Sequence, residues 1–177
     1  MGILLKELKP ADCQPGLLAD FDRHQEVRRC WQNTDGQWLL RDCFYTVDWD
    51  DGYKKTVVDK FSSCLESGGY VIGAYDGNSL IGFATVDAEL FGSANQYANM
   101  KFLHVSNGHR GQGIGKMLFF AACEKARVLG AAKLYISAHS AEGPMAFYRK
   151  AGCVDAAEIN RALFEAEPHD CHLEYEL

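Results

Sequence analysis

The stretch Arg110-Gly111-Gln112-Gly113-Ile114-Gly115-Lys116 runs straight into Met117-Leu118-Phe119-Phe120-Ala121-Ala122-Cys123-Glu124, and the strand-like segment Met100 to Val105 precedes it. Strand, glycine turn and helix in that order make an anion site. Residues without a Cβ let backbone N–H groups close on a ligand, and a helix N-terminus adds free donors and a favourable dipole. The spacing excludes two common nucleotide motifs. The run lacks the Lys-Ser/Thr ending and the glycine spacing of a P-loop. Its third glycine falls one position too early for the dinucleotide fingerprint.

Further along, Ser137-Ala138-His139-Ser140-Ala141-Glu142-Gly143-Pro144-Met145-Ala146 leads into Phe147-Tyr148-Arg149-Lys150-Ala151-Gly152-Cys153. This reads as a strand end followed by a short helix that Pro144 starts and Gly152 closes. Together the two segments resemble the GNAT N-acetyltransferase family. Arg110, Gly113 and Gly115 match its loop pattern Q/R-x-x-G-x-G/A, and residues 147–153 match its F-Y-x-K-x-G-F/C ending. The resemblance is firm over residues 98–153 and looser over Tyr70 to Asp87. One position departs: where many members carry an Asn near the cofactor, this chain has Ala141.

The resemblance implies an acyl-CoA N-acyltransferase fold, with acetyl-CoA as cosubstrate and direct transfer to an amine in a ternary complex. The backbone amides of Gly111, Gln112, Gly113, Ile114, Gly115 and Lys116 would hold the pyrophosphate. The backbone of Leu103 and Val105 would pair with the pantetheine arm, and an N–H there would polarise the thioester carbonyl. Arg110 either neutralises phosphate or caps the strand end. Phe147 packs against cofactor or core. Tyr148 falls on the family's tyrosine; it either packs or serves as the general acid that protonates the departing thiolate.

The general base is open. Many members use a Glu on the strand before the loop, and none lies between Tyr97 and Val105. His104 is on that strand, facing away from Leu103 and Val105, with an imidazole suited to neutral pH. Asp87 and Glu89 end the preceding strand, His139 follows the next one, and a water could serve instead. A non-catalytic acyl-CoA-binding sensor on the same fold is the alternative that the missing Glu and Ala141 leave standing.

Composition sets outer bounds. A chain of 177 residues can bury one core, which predicts a single domain over residues 1–177. No apolar run is long enough to span a bilayer, and the N-terminus does not read as a secretory signal. The net charge of −6 argues against a nucleic-acid partner and sits better with an amine, of a small molecule or a peptide. Seven cysteines, an odd number with no C-x-x-C pair, predict free thiols in the cytoplasm and no metal site.

The remaining elements follow from periodicity and breakers. Ile3 to Leu8 reads as a strand, Leu17 to Trp31 as an amphipathic helix and Thr56 to Leu65 as a second helix. Asn33 to Asp51 shows no period. Tyr70 to Tyr75 and Leu80 to Val86 form a hairpin about Asp76-Gly77-Asn78-Ser79. Tyr97 to Val105, Lys133 to Ser137 and Cys171 to Leu177 read as strands, and Gly115 to Leu129 as the main helix. The expected architecture is α/β, a single mixed, mostly antiparallel sheet flanked by helices. The acceptor pocket falls to the early segment, with Trp31, Trp38, Tyr45 and Trp49 as walls and Asp42, Asp48, Asp50 and Asp51 as ammonium partners. The last strand offers an edge for a homodimer.

Overall fold

The computed structural model describes residues 2–177. Strand β1 (Leu4–Glu7) is followed by a long hairpin, β2 (Gln25–Thr34) and β3 (Gln37–Val47), and by helix α1 (Asp51–Glu66). Then come β4 (Tyr70–Asp76), β5 (Ser79–Val86), β6 (Tyr97–Asn99), β7 (Leu103–Val105), α2 (Ile114–Val128) and β8 (Lys133–Ala138). Helix α3 (Glu142–Ala151), β9 (Val154–Asp155), α4 (Arg161–Ala166) and β10 (Cys171–Glu176) complete the chain. The strands form sheets ordered β1-β4-β5-β7 and β6-β8-β10-β9, with β2-β3 apart.

The two main sheets are halves of one surface, joined through the segment 97–105. β4 and β5 are covered on both faces. Val71 and Phe83 pack with Val57 and Phe61 of α1; Ile72, Ala74 and Ala84 pack with Leu118, Phe119 and Ala122 of α2. Burial on both faces explains why β5 is apolar at nearly every position rather than alternating. Gly82 sets how close α2 comes: a Cβ there would lie 3.0 Å from Leu118 Cδ1 and 3.1 Å from the His104 carbonyl.

The first expectation to fall is the helix over Leu17 to Trp31. Residues 25–34 are strand β2, paired antiparallel with β3. Leu18 and Phe21 are buried under α1, whereas Val27 and Cys30 belong to a separate small cluster, so the helix-like spacing joins residues of two different cores. The stronger signal is Asp35-Gly36, both at positive φ (52° and 83°) between the paired Thr34 and Gln37. That is the two-residue hairpin turn that Asp-Gly favours. Asn33 Oδ1 accepts the Gly36 N–H at 2.9 Å and fixes it.

The hairpin also overturns the expectation that all cysteines are free. Its register brings Cys30 and Cys43, 13 residues apart in sequence, to a Cα separation of 6.1 Å, and they form a disulfide. Cys13, Cys64, Cys123, Cys153 and Cys171 remain free. Helix α1 begins earlier than its apolar face indicates, because Asp50 accepts the Tyr53 N–H at 2.7 Å as an N-cap. Strand β10 lies between β8 and β9, so the chain's last strand is an inner strand over Leu173 and Glu174 rather than a free edge. No helix among the described residues is long and apolar enough to cross a membrane.

Candidate active site

The expected strand over Tyr97 to Val105 is broken by a bulge, and the break creates the site. Asp87 N–H donates to the Asn99 carbonyl and Thr85 N–H to the Phe102 carbonyl. Two residues on one strand therefore face three on the other, leaving an extra residue at Met100–Lys101 and turning the strand. Before the bulge the segment pairs in parallel with β8, Tyr97 opposite Lys133 to Asn99 opposite Tyr135. After it, Leu103 to Val105 pair only with β5. The strands diverge, and a gap opens between Leu103–Val105 and Ile136–Ala138.

The hydrogen-bond phase decides what faces the gap. The Phe102 carbonyl and the Ser106 N–H are bonded to Thr85 and Ile81 of β5. Alternation along an antiparallel pair then turns His104 to β5 as well and aims the backbone groups of Leu103 and Val105 into the gap. The Val105 carbonyl is taken by Arg110 Nε at 3.0 Å. This leaves the N–H groups of Leu103 and Val105 and the Leu103 carbonyl for a ligand.

The glycine run stands at the open end of the gap. Gly111 and Gly113 have φ of +77° and +83°, and a Cβ on either would meet nothing within 4 Å, so backbone conformation alone requires glycine there. Gly113 is the N-cap of α2 and supplies no side-chain cap. The first-turn N–H groups of Ile114, Gly115 and Lys116 are thus free donors. Ile114 is buried and anchors the turn. Gly115 faces Phe147 and Val105, with Phe147 Cε2 3.5 Å from where its Cβ would be. Lys116 Nζ lies over the Phe120 ring, and Gln112 donates weakly to the Gly108 carbonyl.

Arg110 does something the sequence left open. Its guanidinium donates to the carbonyls of Val105, His24 (2.7 Å) and Arg23 (3.3 Å). It ties the strand end to the segment before β2, and its donors are spent on backbone carbonyls.

Tyr148, on α3, is 8% exposed and packs between Phe119 and Phe147. Burial, reinforced by Cys153 and Asp170, raises its phenol well above the ordinary value, and no hydrogen bond shares in the shift. The hydroxyl stays protonated and is a donor.

His104 points to the other face of the strand, amid Trp49, Phe83 and Phe102, at ring separations of 5.0, 5.6 and 5.9 Å. Burial, with Arg23 and Arg110 nearby, pushes its imidazole down to about 3. It is neutral at pH 7 and a weak proton acceptor. His139 follows β8 at the opposite lip. Its Nδ1 accepts the Ala141 N–H at 3.1 Å, so Nε2 carries the proton and donates to the Tyr45 hydroxyl at 3.0 Å. Asp87 is not brought to this end. It lies at the closed vertex of the gap, where Asn99 Nδ2 donates to it at 2.8 Å.

The four aromatic residues assigned as pocket walls separate. Trp31 and Trp38 line a cavity of about 910 Å³ between the hairpin, α3 and the segment from β9 to β10. Tyr45 binds His139, and Trp49 joins the aromatic cluster around His104. Of the aspartates, Asp50 caps α1, Asp48 pairs with His24 at 2.9 Å, and Asp42 stands opposite Arg29. The cavity's far wall includes Ile159, Phe164, Asp170 and His172. Sequence reasoning passed over these; the one available signal was the polar pair Asp170 and His172, two apart at the start of a strand.

Ala141, the position that departs from the family pattern, is buried beneath the hairpin. Cys30 forms an isolated bridge with it, and the Trp31 N–H donates to the Ser140 carbonyl at 2.8 Å. The hairpin backbone thus covers the place where a longer side chain would reach toward the gap.

The chain belongs to the acetyltransferase (GNAT) family, whose description matches residues 33–153. Acetyl-CoA is the cosubstrate of that family. Among solved structures, nourseothricin acetyltransferase is similar at a TM-score of 0.68 and 21% identity, covering 98% of this chain and 96% of its own. A streptothricin acetyltransferase of Bacillus anthracis in complex with acetyl coenzyme A gives 0.71 at 17% identity, covering 100% and 99%. The PaiA N-acetyltransferase of Thermoplasma acidophilum with coenzyme A gives 0.61 at 14% identity, covering 100% of both chains. At these identities the likeness is one of fold. No curated protein matches the sequence.

Proposed function

We propose that this protein transfers the acetyl group of acetyl-CoA directly to a primary amine of a small molecule or peptide, within a ternary complex. The observation that carries the reading is the gap: free backbone groups of Leu103 and Val105 on one side, ending at the uncapped N-terminus of α2. An extended amide-bearing arm fits the first and a pyrophosphate the second.

The amine nitrogen attacks the thioester carbonyl, whose oxygen gathers charge against a Leu103 or Val105 N–H. The C–S bond then breaks. Tyr148, kept protonated by burial, supplies the proton that the thiolate takes up. The amine must arrive neutral, and Arg23 and Arg110 near the His104 face disfavour a cation there as they do on the imidazole. His104 serves in this reading as a hydrogen-bond acceptor that orients the amine, and a water carries its proton away. Positioning supplies most of the rate. Asp87, at the closed vertex, has no part. A cytoplasmic setting belongs to the reading: five free cysteines, four of them buried, support it, and the Cys30–Cys43 disulfide opposes it.

The test is thiol release from acetyl-CoA against polyamines, amino acids, aryl amines, aminoglycosides and short peptides. Release that depends on one class, with one acetyl added to the acceptor by mass, is the expected result. Acetyl-CoA binding without transfer to any amine would leave the sensor role in its place.

A further inference from the structure

The cavity between the hairpin, α3 and the β9–β10 segment is built to recognise something the glycine loop is not. It holds about 910 Å³, room for a molecule of drug size. Its walls are largely apolar: Trp31 and Trp38 from the hairpin, Met145 from α3, and Ile159 and Phe164 from the segment before β10. Trp38, Ile159 and Phe164 are partly exposed, so the apolar lining reaches the surface.

Its polar groups differ in what they have left to offer. Glu142 is bound by both arms of Arg29, at 2.9 and 2.5 Å, and Arg149 is paired with Asp155. Asp170 has no cation among the described residues; one carboxylate oxygen accepts the Ser137 hydroxyl at 3.0 Å. His172 is 8% exposed and its Nε2 has no partner. The Asn160 N–H donates to the Tyr135 hydroxyl at 3.0 Å, and that hydroxyl is hydrogen-bonded to His172 Nδ1 at 2.7 Å. Burial keeps the ring neutral by lowering its pKa. Residues two apart at a strand start share a face, so Asp170 stands on the His172 side of the cavity with one carboxylate oxygen free, whereas Nε2 itself is enclosed in the wall.

We infer that this cavity is the acceptor's recognition site and selects a flat cation: Trp31 and Trp38 hold its planar part, and Asp170 takes its ammonium group. Of the three carboxylates in the lining, Glu142 is neutralised by Arg29 and Asp155 by Arg149, which leaves Asp170 as the uncompensated charge and opposes an anion. The cavity abuts the gap, since Asp170 is bound to Ser137 and Cys171 is paired with Ala138 on the strand that forms the gap's far side. The inference rests on the acetyl-transfer reading for its place in the reaction, but not for binding.

Calorimetry with the full chain tests it without turnover. Two probes share one naphthyl ring: lysine 2-naphthylamide, and N-succinyl-2-naphthylamine, which carries a carboxylate instead. The lysine amide is expected to bind at least tenfold tighter than the succinyl probe. Asp170→Asn, nearly isosteric, should remove the preference over the succinyl probe, and Trp38→Ala should weaken the lysine and succinyl probes at least fivefold. Unchanged acetyl-CoA binding in each variant reports an intact fold. Binding of the succinyl probe as tight as the lysine amide, an Asp170→Asn variant like the parent, or no binding of the lysine amide at millimolar concentration would each overturn the inference. Failure of the parent protein to bind acetyl-CoA would instead count against the transfer reading.

Discussion

Tyr148 and His104 are both governed by burial, and burial acts on them in opposite senses of charge. It keeps the phenol protonated and the imidazole unprotonated. With an acceptor in hand, Tyr148→Phe should lower kcat by about 10²-fold or more and leave KM for acetyl-CoA within a few fold, measured by thiol release. A parent-like kcat would reduce Tyr148 to packing. For His104 the consequence is in stability. Its value is about 3 folded against 6.5 unfolded, so between those limits the unfolded chain binds the extra proton. Its contribution is complete above about pH 6.5 and is lost as pH falls toward 3. His139 and His172, also lowered, act in the same direction. Thermal unfolding from pH 8 to 4 should show Tm falling below pH 6.5. His104→Phe, which suits the aromatic surroundings, should flatten that fall by up to about 1.4 kcal/mol per pH unit. An unchanged slope would show that the imidazole is not held neutral.

Two elements carry sharper expectations. In the loop that opens α2, Gly113 sits at φ +83° and Gly115 in ordinary helix. Gly113→Ala should cost about 1–2 kcal/mol of stability and weaken acetyl-CoA binding as the amides move. Gly115→Ala meets only ordinary contact at 3.5 Å from Phe147 and should not lower stability, since alanine favours helix. Chemical denaturation separates the two, and equal losses would mean that the turn is not set by backbone conformation. In the hairpin, Cys30–Cys43 closes a loop over a separation of 13 residues. Cys43→Ser should lower stability by up to about 3 kcal/mol in the chain-entropy account. The loss should be smaller if the Asp35-Gly36 turn already holds the strands together. The same unfolding curves, with and without reductant, read it out.

At the scale of the whole molecule, the gap is a fault line: two half-sheets meet through one bulged strand, and behind the gap α2 packs on both β7 and β8. Acetyl-CoA at a hundred times its Kd should raise stability by about 2.7 kcal/mol. Protection of the amides at Leu103 and Val105 against hydrogen exchange should rise with it. Exchange at those two positions that is indifferent to acetyl-CoA would remove the pantetheine from the gap.

The glycine run, the F-Y-x-K helix and the hairpin about Gly77 were legible in the sequence because each is decided locally, by backbone conformation at glycine and by the period of one helix or strand. These determined the family resemblance and the place of the glycine turn that opens α2. The hairpin over residues 25–47 was legible too, in Asp35-Gly36, but the helical spacing of Leu18, Phe21, Val27 and Trp31 concealed it. Only the tertiary structure decided the rest. The bulge at Met100–Lys101 depends on two partner strands pulling one segment in different directions. The turning of Arg110 onto Arg23 and His24 depends on a segment more than eighty residues earlier. The meeting of Trp31, Asp170 and His172 in one cavity depends on the hairpin crossing α3. Each is a contact between residues distant in sequence, and no local pattern encodes which distant backbone a side chain will meet.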